Sequence, residues 1–378
     1  MARHGLEASI VAIAGSEKRL HRRHKAGARA VACVVESLEK RLFLSAGTTY
    51  VVNSLADNLP NDGSTITLRE AIQAANTNKA VGDAPAGSAT ATDVIQFDPS
   101  LTGGTITLSG TELAITDSVQ IIGLGSDRLT INANAASRIF NVTGGTDSIS
   151  GIHLTNSNGS NAAVYNSTTL SLSNMIIDAS HGTAAGGICN AGSITVQSST
   201  ISNNSGPASA YCGGGIYSSG SSLIVDGSLI STNAAAAGGG IGISGGTVYI
   251  DNSTIYGNTA TYSNSYGGGG VYVWGGSVQI VQSTIASNQA AYLGGGVDTG
   301  VSVKLNNTVV AGNTCGASPN GATSGADAYG TFDATGDYNF IGVIDGSTNL
   351  TAAHAIYGTA AAPKDPELAL KQANPPAA

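Results

Sequence analysis

Three sets of residues have types and spacing that could carry chemistry. The first is Gly240-Ile241-Gly242-Ile243-Ser244-Gly245, which satisfies G-x-G-x-x-G. That pattern cradles a pyrophosphate where it follows a strand and opens a helix, with an acidic residue about 20 positions on. Here Thr247-Val248-Tyr249-Ile250-Asp251 follows, which is a strand pattern, and Asp251 arrives far too early. Sister clusters read "GGGIYSSG", "GGGGVYVWGG" and "GGGVDTG", with Tyr217, Tyr272 and Asp298 where this one has Gly242. The motif therefore reads as one copy of a repeated bend, and no cofactor is expected.

The second set is acidic. Asp226 and Asp251 occupy the same place in consecutive units. Stacked strands would bring them about 5 Å apart, a spacing that suits a glycosidase pair or a cation. The plainer reading is two strand-end carboxylates, solvated or bonded to turn amides, and it is preferred. Likewise His153 aligns with Asp178 one unit later, with His181 three residues on. Such a pair can act as a general base but is more often a surface hydrogen bond. The third set is Tyr249, Tyr272 and Trp274, whose faces suit sugar stacking, although Tyr is also a good strand former. No C-x-x-C exists, and no metal site is expected. Cys189 and Cys212 are either bridged or two small buried thiols.

What must position these residues is legible in the repeats. Glycine clusters end at Ile188, Ile216, Ile241, Val271 and Val297. Further along each unit come Ile201, Ile230, Ile255, Ile285 and Val310, and three residues later Asn204, Asn233, Asn258, Asn288 and Asn313. Five and seven residues before those apolar positions stand Val196, Val225, Ile250, Ile280, Leu305 and Ile194, Leu223, Val248, Val278, Val303. This is period-2 alternation with one apolar face. A unit of this size cannot bury that face alone, whereas stacked units can.

The expected fold is all-β: a right-handed, single-stranded parallel β-helix, its hand following the crossover rule. The Asn column predicts a structural amide ladder at turns where Asn adopts left-handed angles. Ser199, Ser228, Ser253, Ser283 and Thr308 predict a second ladder. Looser apolar stretches upstream, including Ile149–Leu154 and Leu170–Ile177, read as earlier strands, giving on the order of ten turns and roughly 50 Å of rod. Residues 67–76 predict a short capping helix. Thr67 and Glu70 form a capping box, and Leu68, Ala71, Ile72 and Ala75 share one face.

Charge divides the chain. Residues 1–41 hold nine basic and four acidic residues, net +5, leaving seven against twenty, net −13, in the rest. An acidic body repels nucleic acid, and none is expected as a partner. No apolar run approaches the roughly 18 residues of a membrane span. The domain reading is a basic leader over 1–46, the β-helix over 47–345 with regular coils at about 186–313, and a tail over 346–378.

Tyr50–Asn76, "YVVNSLADNLPNDGSTITLREAIQAAN", resembles the CSLREA domain that precedes β-helix repeats in bacterial surface proteins. Leu68, Arg69, Glu70 and Ala71 match it, while Ile66 and Thr67 stand in place of its Cys-Ser. The units from 186 to 313 resemble the repeats of polymorphic outer membrane proteins. Leu38 and "EKRLFLSA" resemble the LEPRxLLSA-type segment of planctomycete exported proteins, with Lys40 in place of its Pro. These resemblances imply a secreted or cell-surface protein. The function expected is non-enzymatic adhesion or contact with a surface glycan or another cell-surface protein. The alternative is a polysaccharide lyase or glycoside hydrolase of the β-helix type. Between 105 and 345 only Arg128, Arg138 and Lys304 are basic, and Lys304 has no acidic neighbour in its column. A lyase base is therefore poorly provided for.

Overall fold

The computed structural model describes residues 47–208, 212–263, 266–316 and 325–366. The segment over 1–46, read from sequence as a leader and holding Cys33, and residues 367–378 lie outside the described residues. The chain divides into the units Met1–Ala46 and Gly47–Ala378, and the second is a parallel β-helix.

Each regular turn follows one path. A short strand (Ile188–Asn190) leads through a corner to a long strand (Ser193–Gln197), and a second corner leads to a closing strand (Thr200–Ser202). Every strand pairs in parallel with its counterpart one turn on. Short and long strands build a 19-stranded sheet, and closing strands build an 11-stranded one. The alternating apolar residues point inward, so Ile194, Val196 and Ile201 join one continuous core running from Tyr50 to Ile341.

Two upstream stretches are broken where the apolar pattern reads as continuous. Ile149–Leu154 spans the strands Thr146–Ser150 and His153–Thr155, and Leu170–Ile177 spans Thr169–Ser173 and Ile176–Asp178. The corner residues Ile152 and Met175 are also buried, so apolar character continues through the bend and hides it. The coil also continues past residue 345. Ser347–Thr348 and Ile356–Tyr357 add strands to the two sheets.

The Asn column is an amide ladder. Nδ2 of Asn204, Asn233, Asn258 and Asn288 each donates to Oδ1 of the next member at 2.9–3.0 Å. The same Oδ1 also accepts the backbone N–H of the preceding member. The ladder residues are not themselves left-handed. That conformation belongs to the residue before each: Asn203, Thr232, Gly257, Ser287 and Gly312. The kink at that position turns the next side chain inward, where its amide has only other turns to bond.

Asp327 ends the ladder, accepting both the N–H and the Nδ2 of Asn313 at 2.8 Å. Burial pushes its carboxyl up to about 6. The serine column forms the second ladder, with Ser199, Ser228 and Ser253 N–H donating to the next Oγ. A third ladder, unforeseen from sequence, runs Asn166–Asn190–Ser218.

The helix Leu68–Thr77 covers the first turn. Thr67 Oγ1 accepts from Glu70 N–H, and the Glu70 carboxylate accepts from Thr67 N–H at 2.9 Å, closing the capping box. Leu68, Ala71, Ile72 and Ala75 are buried. Arg69 pins the helix to the coil. Its guanidinium forks onto Asp57 and donates to the Thr111 and Glu112 carbonyls.

Asp147 breaks the core pattern. It sits in register with Leu170 at an inward position. One carboxyl oxygen accepts Val119 N–H, and the other is buried without a partner. Burial, with the nearby Asp117 charge, raises its carboxyl to about 7 despite the bond from Val119.

Replacing Asn258 by Ala removes the acceptor of the Asn233 N–H and of one Nδ2 hydrogen, the other still bonding Ile201 O, and leaves the buried N–H unpaired, at a cost of about 3 kcal/mol. Urea unfolding should show a lower midpoint at unchanged m. Replacing the exposed Thr232 by Ala should change stability by no more than about 0.5 kcal/mol.

Candidate functional site

The middle residue of each short strand points away from the core, and successive turns stack these residues in a column. From Asn141 it runs Tyr165, Cys189, Tyr217, Gly242, Tyr272, Asp298 and Tyr329. Small side chains fold against part of it. Ala162, Ala185 and Cys189 form one satellite cluster with Tyr165 and Tyr217, and Cys212, Ala235 and Ala236 form another with Tyr262. Cys189 and Cys212 are buried thiols that form no disulfide, and burial raises both.

Gly242 has a structural reason. A Cβ there would stand 1.9 Å from the Cys212 carbonyl oxygen. The G-x-G-x-x-G therefore marks where the preceding loop crosses the column. Its residues lie in the strand Ile241–Ile243 and the corner before Thr247–Asp251, and no helix follows to offer an N-terminus to a phosphate.

The missing side chain at Gly242 opens the column to a group of rings. Trp274 stacks on Tyr217 at 6.0 Å and 15° and meets Tyr272 at 4.9 Å. Tyr272 meets Tyr266 edge-on at 5.8 Å, and Tyr266 meets Tyr262 at 5.7 Å. The Tyr217 hydroxyl reaches Ser244 Oγ at 3.2 Å. Tyr272 is only 6% exposed, whereas Tyr217 and Trp274 are half-buried and offer ring surface.

The three aromatics singled out in the sequence thus part company. Tyr272 and Trp274 belong to this group, and Tyr249 stands on the long strand beside Ile224 and Gln279. Tyr217, Tyr262 and Tyr266 were missed because their contacts cross turns and loops of unequal length. Tyr217 alone was readable, as Tyr272's counterpart in the repeat.

Asp298 follows Tyr272 in the column and is buried. Desolvation raises its carboxyl to about 7, against the pull of hydrogen bonds from the Gly267 and Thr299 backbone. Below the ring group in the same column, Arg138 lies over Tyr165 at 5.4 Å and pairs with Glu112, which also accepts from Asn141.

His153 is not in register with Asp178. Its partner is Ile176, and Asp178 pairs with Thr155. The side chains nevertheless meet diagonally, His153 Nε2 to Asp178 Oδ1 at 2.9 Å, both about a quarter exposed. Burial raises the Asp178 carboxyl, but hydrogen bonds from His153 and Thr155 outweigh it and hold it below the usual carboxylate range. His181 lies beyond the next corner, in register with Asn158.

Asp226 and Asp251 are direct register neighbours. Asp226 accepts from Gln197 at 3.1 Å, while Asp251 Oδ1 is buried without a partner. Among the described residues no three His, Cys, Asp or Glu side chains gather to hold a metal. No described helix is long and apolar enough to cross a membrane. No family model, curated protein or solved structure matches the chain.

Two predictions rest on this geometry. Gly242→Ala should destabilise the fold by about 2 kcal/mol or more, because the added Cβ meets backbone that the loop crossing holds in place. A fall in Tm by differential scanning calorimetry would register it. The second concerns pH. The raised carboxyls of Asp147, Asp298 and Asp327 favour the fold while protonated. That stability is full below about 4 and is lost as pH rises through about 6 to 7. The depressed carboxyl of Asp178 acts the opposite way, but only below the ordinary carboxylate range. Tm should therefore fall between pH 5 and pH 8. Asp147→Asn, which keeps an acceptor for Val119 N–H, should reduce the fall by about 2 °C or more.

Proposed function

We propose that this chain is an exported surface protein that contacts glycan through the ring group around Trp274, without catalysing a reaction. The observation carrying this reading is the continuous contact of Tyr217, Trp274, Tyr272, Tyr266 and Tyr262 on the outward side of the coil. Aromatic faces supply apolar area for the C–H face of a sugar at little entropic cost. A stacked solenoid holds them in fixed positions without cost to its core. The basic leader and "EKRLFLSA" support export, and "LREA" with the repeats supports a CSLREA-type cap and repeats of the polymorphic outer membrane type.

A second reading, a polysaccharide-active enzyme, draws on the bonded His153–Asp178 pair and on the carboxylates in register at Asp226 and Asp251. Neither set adjoins the ring group in the register, and their strands carry no cluster of basic side chains.

Trp274 is the sole tryptophan, so its fluorescence reports directly on the ring group. Glycans that bind on an array should shift or quench that emission, and Trp274→Ala should weaken their binding at least tenfold. The same polysaccharides should remain undegraded over long incubation. Degradation that Asp178→Asn or Asp226→Asn abolishes would establish the enzyme instead.

A further inference from the structure

The long strands carry a second feature, apart from the ring group. Strand Val297–Asn306 pairs with Ala328–Phe332 through Val297, Asp298, Thr299 and Val303 only, because the register shifts between Thr299 and Val303. The slip leaves a groove of about 340 Å³ lined by Gly276, Ser277, Gln279, Ser302, Lys304 and Asp333. Asp333 is held there by its own N–H, which donates to the Val303 carbonyl at 2.9 Å. Its carboxylate accepts from Thr335 N–H, and with the Lys304 charge that bond holds it below the usual carboxylate range. Lys304 therefore has the acidic neighbour that its own column lacks, supplied by the segment after the next short strand. One turn below the groove, Tyr249 is in register with Gln279 and is 36% exposed.

Inside the coil polar side chains are spent on ladders, as in the Asn column, and on the outer face Gln197 and Asp226 bond each other. The side chains of Ser277, Gln279, Ser302 and Lys304 make no hydrogen bond or ion pair with protein among the described residues. A concave site therefore presents donors from Lys304, an acceptor from Asp333, and both from Gln279 and the serines, beside an exposed tyrosine ring.

We propose that this groove binds a neutral pyranose unit, one ring face on Tyr249 and its hydroxyls bonded to Gln279, Lys304 and Asp333. Sugar hydroxyls both donate and accept, and so match a set that does both. The opposite charges of Lys304 and Asp333 leave the groove near neutral. The acidic body disfavours a polyanion at long range. The site is distinct from the ring group, which is built on the short strands Ile216–Ser218 and Val271–Val273 and the loop and corner beside them.

The test uses the full chain and saturation-transfer NMR with cellobiose, maltose, lactose and mannobiose as probes, and polygalacturonate as the anionic comparison. At least one disaccharide should bind. Tyr249→Thr, a residue its column already holds at Thr195, and Gln279→Ala should each weaken that binding at least tenfold, with thermal melts confirming both variants folded. Trp274→Ala should change it less than twofold, so loss of the ring-group reading leaves this result standing. The proposal is overturned if no disaccharide binds the unaltered chain, or if binding survives both groove variants. Selective binding of polygalacturonate that Lys304→Met abolishes would likewise overturn it.

Discussion

The buried amide ladder is the constraint on which the rest depends. Each Asn side chain donates to the turn on one side and to a carbonyl within the coil, and from Asn233 to Asn313 each accepts twice from the other side, whereas Asn204 accepts once, from Ser180 N–H. Asn258, for example, bonds Ile230 O and Asn288 Oδ1 while receiving Asn233 N–H and Nδ2. Such a residue has no useful partner if the strands slip. A slip of one residue would also turn the apolar face outward. The ladder and the hydrophobic pattern therefore demand the same register, and agreement between levels specifies a single fold.

Once register is fixed, columns follow. The outward residues of successive turns stand about 4.8 Å apart, so sequence positions some 25 residues apart become neighbours. The ring group and the groove are both products of departures from that regularity. One arises where Gly242 removes a side chain beneath a crossing loop. The other arises where the register shifts after Thr299. A solenoid tolerates such local departures because each turn contacts only its neighbours.

The regular turns were readable because apolar alternation, glycine bends and the Asn offset recur together from Ile188 to Asn313. The helix Leu68–Thr77 was readable because its capping box and its periodic face coincide. The left-handed residues were misplaced by one position, since Asn203 and Asn204 are the same residue type with opposite roles. The corners at Ile152 and Met175 were hidden because bends in a coil can bury apolar side chains too. The inward Asp147 and the ladder-ending Asp327 depend on burial, which spacing does not report. His153 and Asp178 meet by reaching diagonally across register, so the contact was legible and its geometry was not. The groove depends on a slip between two strands of unequal length, and no single segment encodes that.

The most direct measurement is amide hydrogen exchange, resolved by residue, across the central turns. The N–H groups of Asn233 and Asn258, each bonded to the next ladder side chain, should exchange together and only through cooperative opening of the coil. The amides of Gly245 and Gly276, in the corners between short and long strands, carry no hydrogen bond among the described residues and should exchange faster. Rapid and independent exchange at Asn233 and Asn258 would contradict the ladder as the element that holds register.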